Sequence, residues 1–159
     1  MATFALWALP LATLISLWVA WSDLARMKIP NKAVMALLAL FVVLGVLTLP
    51  LEDYLWRYAH FAIVLAVGFV MTITGLVGAG DAKFAAAMAP FVAVADATSL
   101  FAIFAVATIV AFALHRLARV TSLRKLAPNW ESWERTRDFP MGLPLAATLI
   151  IYLAFTAFS

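Results

Sequence analysis

Residues 3–21, TFALWALPLATLISLWVAW, contain no charged side chain. A run of about 20 apolar residues is what one helix needs to cross roughly 30 Å of hydrocarbon. Irregular backbone cannot face lipid, because its N–H and C=O groups would go unsatisfied there, so such a run is read as a helix. The pattern recurs along the whole chain. Of 159 residues 67% are hydrophobic and 12% charged, with a mean hydropathy of +1.06, against about 45–50% apolar usage in soluble domains. The expected architecture is all-α, with residues 1–159 forming a single integral-membrane bundle of about six helices.

Pro10 is expected to kink the first span where neighbouring helices satisfy the freed carbonyl. The segment lacks the positive leading region and small-residue cleavage site of a secretory signal, so it is read as retained. The link Ser22–Lys32 carries Asp23, Arg26, Lys28 and Lys32, and Pro30-Asn31 reads as a helix start with Asn31 as N-cap. A second span covers about 33–50. The link Glu52–Arg57 is acidic on balance, with Tyr54, Trp56 and Tyr58 read as an interfacial aromatic belt, and a third span covers 59–77. The stretch GLVGAGDAKFAAAM, residues 75–88, then breaks the pattern. About 14 residues separate Asp81 from Asp96, roughly 21 Å of helix, so the fourth helix is short and Asp81 is expected at or below the membrane surface. Asp96 reads as the N-cap of a fifth span, 97–114, needing no further role. The polar segment His115–Phe139 leads through FPMGLP into a sixth span ending near Phe158.

With six spans the links alternate sides. Links one, three and five hold ten of the eleven lysines and arginines, and Arg57 is the exception. Positive residues collect on the cytoplasmic side, so these links are expected to be cytoplasmic and both termini outside. Asp23 and Asp81 then share the cytoplasmic level.

The chain has no cysteine, which excludes disulfides, thiolate metal sites and a cysteine nucleophile. Its net charge of +3 serves orientation, and no nucleic-acid partner is expected. His60 and His115 are isolated and read as snorkelling or capping groups, so neither a metal nor a cofactor is expected. GAGDAK lacks the third glycine of a dinucleotide fingerprint, and Phe84 follows Lys83 where a phosphate loop needs Ser or Thr. Lys83 reads instead as an orienting charge or a neighbour of Asp81.

Ionisable groups at membrane depth cost about 2.5–3.5 kcal/mol and mark functional sites. Capping would explain Asp81 alone, at the mouth of an alanine-rich helix. Gly78 and Gly80 point further, because they let a backbone approach closely. Asp23 alone reads as a solvated acid balancing Arg26 and Lys28. Taken together, two aspartates at helix ends on one side can share a proton, one staying protonated while the other is a base. Such a pair activates water and protonates a carbonyl oxygen, which is aspartic peptide hydrolysis. Asp138, beside Arg137, reads as a capping and ion-paired residue, and Glu131 and Glu134 as surface charges. NWESWERTRDF reads either as a short amphipathic helix in the headgroup plane or as a solvated link with interfacial Trp130 and Trp133.

The phrase SDLARMKIPN, with Asp23, Arg26, Ile29, Pro30 and Asn31, resembles the first-aspartate signature of type IV prepilin peptidases. GAGDAK is similar to their G-x-G-D-x-K signature through Gly78, Gly80, Asp81 and Lys83. Pro140 to Gly142, PMG, resembles the opening of their last span. The resemblance implies an aspartic endopeptidase of the inner membrane with Asp23 and Asp81 as the catalytic pair. Arg26, Pro30, Asn31, Gly78, Gly80, Lys83, Pro140 and Gly142 would be its supporting or substrate-binding residues. It would remove the basic leader of type IV prepilins or pseudopilins at the cytoplasmic face. Long members also methylate the new terminus through a cytoplasmic insertion that often carries cysteines; with neither feature, this chain resembles the short form of Flp or Tad pilus systems. A presenilin-like intramembrane protease would keep its first aspartate well inside a span. A transporter or assembly subunit binding a proton or cation would line a path across the bilayer with acids.

Overall fold

The computed structural model describes residues 1–135 and 138–159. Six α-helices follow in order: α1 (Ala2–Arg26), α2 (Asn31–Thr48), α3 (Leu51–Ile73), α4 (Ala79–Met88), α5 (Ala97–Val120) and α6 (Gly142–Phe158). Short 3₁₀ turns lie between α4 and α5 and between α5 and α6, and no strand occurs among the described residues. The all-helical expectation holds. Four stretches, α1, α2, α3 and Val94–Val120, are long and apolar enough to cross a membrane. By contrast α4 is about 15 Å long and α6 about 25 Å, so the six crossings expected from sequence rest on two short helices.

Several boundaries differ from expectation. Proline sets two of them: Pro30 and Pro50 occupy the N-cap positions of α2 and α3, so Asn31 is the first helical residue and not the cap. Helix α3 begins eight residues early, with Glu52 and Asp53 in its first turn, where acids favour the positive end of the helix dipole. The supposed link is therefore helical, and Arg57 is turned inward to 4% exposure. Trp56 remains largely exposed, but Tyr54 stacks on Phe41 and hydrogen-bonds to Tyr58. Helix α1 passes unbroken through Pro10 and runs on to Arg26, placing Asp23 in its last turn instead of in a link.

The core gathers on α1. Phe4 meets Phe41 of α2 edge-on at 6.1 Å and Phe91, just beyond α4, at 5.6 Å. Ala5, Ala8 and Ala12 are fully buried along the same helix, and Leu149 and Leu153 of α6 join the cluster. Lipid tails are as apolar as these side chains, so close packing through small residues, and not exclusion from water, holds such helices together.

Opposite Asp23, the far end of the bundle is tied by polar groups. The Arg57 guanidinium donates to the Pro90 carbonyl at 2.9 Å. Tyr152 donates to Asp96 at 2.8 Å and accepts the Ala93 N–H at 3.1 Å. Asp96 does stand at the N-cap position of α5, yet its side chain makes no capping bond; it holds α6 through Tyr152, a role beyond the one expected.

The α5–α6 link holds two short 3₁₀ turns, Ser122–Leu126 and Glu131–Trp133, and the described part of NWESWERTRDF forms no amphipathic helix. Trp133 is 4% exposed, donates to the Ala127 carbonyl at 2.7 Å and stacks on His115 at 4.8 Å. His115 is thus a buried packing residue, not a snorkelling one. Glu131 and Glu134 are surface acids paired with Arg135 and Arg124. Asp138 pairs with Arg135 at 3.5 Å and does not cap α6, whose N-cap is Met141; its expected neighbour Arg137 lies outside the described residues.

Candidate active site

Asp23 is 5% exposed, and its Oδ2 accepts the backbone N–H of Gly142 at 2.7 Å. That bond joins the last turn of α1 to the first residue of α6. A β-carbon at position 142 would lie 2.9 Å from both Cβ and Oδ2 of Asp23, so only glycine lets the amide reach the carboxylate undisturbed. Pro140, fully buried, precedes it and fixes the approach of the chain by its locked φ.

After Asp23 the helix stops at Met27, which adopts a left-handed conformation at φ 50°, the usual device for ending a helix. Ser22, 1% exposed, clamps the turn by donating from Oγ to the Lys28 carbonyl at 2.8 Å. The turn carries Ile29 onto Gly80, where an added β-carbon would come within 3.3 Å of the Ile29 Cβ. The loop before α4 is thereby pressed against the end of α1.

Gly78, and not Asp81, is the N-cap of α4. Asp81 sits three residues on and accepts the Gly78 backbone N–H, the return half of a capping box. A side chain at 78 would meet the Asp81 Oδ2 at 2.6 Å. Burial first, and the charge of Asp23 second, push the Asp81 carboxyl up to about 6, while the Gly78 bond pulls it down. The two aspartates, one from each glycine- or proline-marked motif, are therefore within electrostatic reach of each other.

The model of the type IV leader peptidase family matches residues 10–114. The chain belongs to that family. No curated protein and no solved structure matches it. The matched stretch takes in both aspartates of the peptidase and both signatures around them, while the Gly142 donor comes from beyond it.

The site gathers Asp23, Asp81, Gly78, Gly80, Pro140 and Gly142 at one end of the bundle. It does not gather the cations. Lys83 is exposed, and Arg26 turns aside to donate to Ser22 at 3.1 Å and cover Trp21. Pro30 and Asn31 open α2, as its N-cap and first helical residue. The sequence reasoning missed Ser22, although its place beside Asp23 at a helix end, where serine competes for backbone bonds, marked it as a candidate clamp. Among the described residues no group of three or more His, Asp and Glu could hold a metal.

Proposed function

We propose that this peptidase is an aspartic endopeptidase in which Asp23 and Asp81 activate water, and that it removes the basic leader of type IV prepilins or pseudopilins. The reading rests above all on one observation: a buried acid, Asp23, and a half-buried one, Asp81, from separate motifs lie where the charge of Asp23 raises the proton affinity of Asp81. Like charges at that range cannot both ionise readily, so the pair retains one proton near neutrality and titrates as a unit.

The ionised member takes a proton from water as its oxygen attacks the scissile carbonyl carbon. The protonated member gives its proton to the carbonyl oxygen, producing a neutral diol. The C–N bond then breaks as the first carboxyl passes its proton to the leaving nitrogen and the diol returns one to the second, so the pair ends as it began. Active-site water and peptide supply every atom of the products.

The ten-to-one split of positive charge favours a cytoplasmic site, the side on which a basic leader also stays. Cleavage of a tagged Flp-type prepilin in membranes tests the proposal. Wild type should remove the leader, and Asp23→Asn and Asp81→Asn should accumulate normally yet leave it attached. Cleavage persisting in both variants would show the pair to be wrongly assigned.

A further inference from the structure

Two stretches of chain between α5 and α6 converge on α1. The turn Glu131–Trp133 packs against that helix, and the segment Phe139–Gly142 ends in the N–H that Gly142 donates to Asp23 at 2.7 Å. His115, toward the end of α5 and 5% exposed, touches both stretches. Its ring stacks on Trp133 at 4.8 Å and meets Phe139 edge-on at 5.7 Å, geometries in which aromatic pairs attract. Trp133 is itself held, by its bond to the Ala127 carbonyl at 2.7 Å and by Trp130 stacked on it at 5.6 Å. Phe139 also meets Phe112 of α5 edge-on at 5.4 Å. Neither ring nitrogen of His115 has a hydrogen-bond partner among the described residues, so the contacts it makes are those of its ring.

Phe139 carries this packing to the site. A residue before proline is confined to extended backbone, and the buried Pro140 that follows has its own φ locked. With the backbone stiff at both residues, the resting place of the Phe139 ring decides where the chain enters α6. The tolerance there is small, because a β-carbon on Gly142 would already lie 2.9 Å from the Asp23 Oδ2.

We propose that His115 is a positioning residue: its ring, held between Trp133 and Phe139, sets the chain entering α6 so that the Gly142 N–H meets the Asp23 carboxylate. Its effect on turnover rests on the peptidase reading above. It would touch neither substrate nor water, and acts only through the bond from Gly142.

The geometry can be read without substrate. With glycine alone isotope-labelled at nitrogen, the chain's six glycines give six amide signals, and Gly142 is the one lost in Gly142→Ala. In His115→Ala the Gly142 amide should exchange with solvent about tenfold faster or more, a local opening. Gly45 and Gly68, buried in α2 and α3, should keep their wild-type rates. Phe139→Leu, a milder change at the half-buried end of the stack, should act in the same direction, while His115→Phe keeps a flat ring and should retain the protection of Gly142. On a tagged prepilin, His115→Ala should lower kcat about tenfold with KM held, less than the ~10²-fold of displacing Asp23 directly. Added to Gly142→Ala, it should slow cleavage by no more than about twofold further, since the bond it serves is already displaced; a general packing role would make the two losses multiply.

Unchanged exchange at Gly142 in both His115→Ala and Phe139→Leu overturns the proposal, as does equal acceleration at Gly45 and Gly68 or a multiplied loss in the double variant. The peptidase reading stands in each of those cases. Faster exchange confined to Gly142, in a protein whose wild type cleaves no prepilin, upholds the hold of His115 on Asp23 and overturns the peptidase reading instead.

Discussion

At the far end of the bundle each buried polar group meets one of complementary character: Arg57 faces the Pro90 carbonyl, and Asp96 takes the Tyr152 hydroxyl. At the other end, Asp23 and Asp81 each receive a single backbone N–H, from Gly142 and Gly78, and then act on each other as like charges. Both ends bury ionisable residues in an apolar setting, where an unsatisfied group is costly. The first arrangement leaves its charges matched. The second positions its acids by the main chain and leaves their mutual repulsion in place, the kind of perturbation that marks candidate functional sites.

The sharpest way to break this contrast is to remove a proton-carrying group. Asp23→Asn or Asp81→Asn should lower the cleavage rate by about 10²–10⁴-fold, the range for losing general acid–base assistance, with little change in the amount of folded protein. A rate within a few-fold of wild type would place Asp23 and Asp81 among the structural acids. Gly142→Ala comes next. Its β-carbon must displace Asp23, and because a misplacement of about 1 Å can cost ~10²-fold, kcat should fall by roughly that factor while KM for the substrate holds.

The dependence on pH separates the ends as well. With Asp81 raised to about 6, the singly protonated pair is lost above that value, so cleavage should decline by up to about tenfold per pH unit on the alkaline side. Stability should move in the same direction. The folded state binds the Asp81 proton more tightly than the unfolded chain, so this contribution is full below about pH 4 and disappears as pH rises through about 6. The thermal midpoint of Asp81→Asn should accordingly vary less across that window than that of wild type.

At the far end the expected effects are on stability. Arg57→Met leaves the Pro90 carbonyl without its donor and should cost about 1–3 kcal/mol, read as an earlier unfolding midpoint in detergent, with cleavage at low temperature within a few-fold of normal. Ser22→Ala, at the reactive end, should be the mildest change. Loss of the bond to the Lys28 carbonyl should cost about 0.5–1.5 kcal/mol and slow cleavage a few-fold through the loosened turn. A larger loss of rate than of stability would assign Ser22 to the site.

Hydropathy was enough to reveal the helices and their order, because a bilayer permits so few backbone solutions. Helix ends were less legible. Asp23 and Glu52–Arg57 look like link residues by charge, yet both stretches are helical, since one side of a helix can turn a polar group inward while the rest faces lipid. The acids of the site were legible from their spacing beside glycine and proline. Their supports were not: Gly142 acts through its backbone amide, which no side-chain pattern displays, and the partners of Arg57 and Asp96 are set by packing between helices far apart in sequence. His115 resisted for the same reason, its surroundings being supplied by Trp133 and Phe139 from the following link.

The bond from Gly142 to Asp23 spans 119 residues of chain, and that separation has a consequence in time. Ribosomes add about 5–20 residues per second, so the first aspartate waits roughly 6–24 s after its own synthesis for the amide that orients it. From the addition of Asp81 onward the growing chain carries both acids without that contact. Insertion of α6 therefore doubles as the event that fixes the Asp23 carboxylate in place.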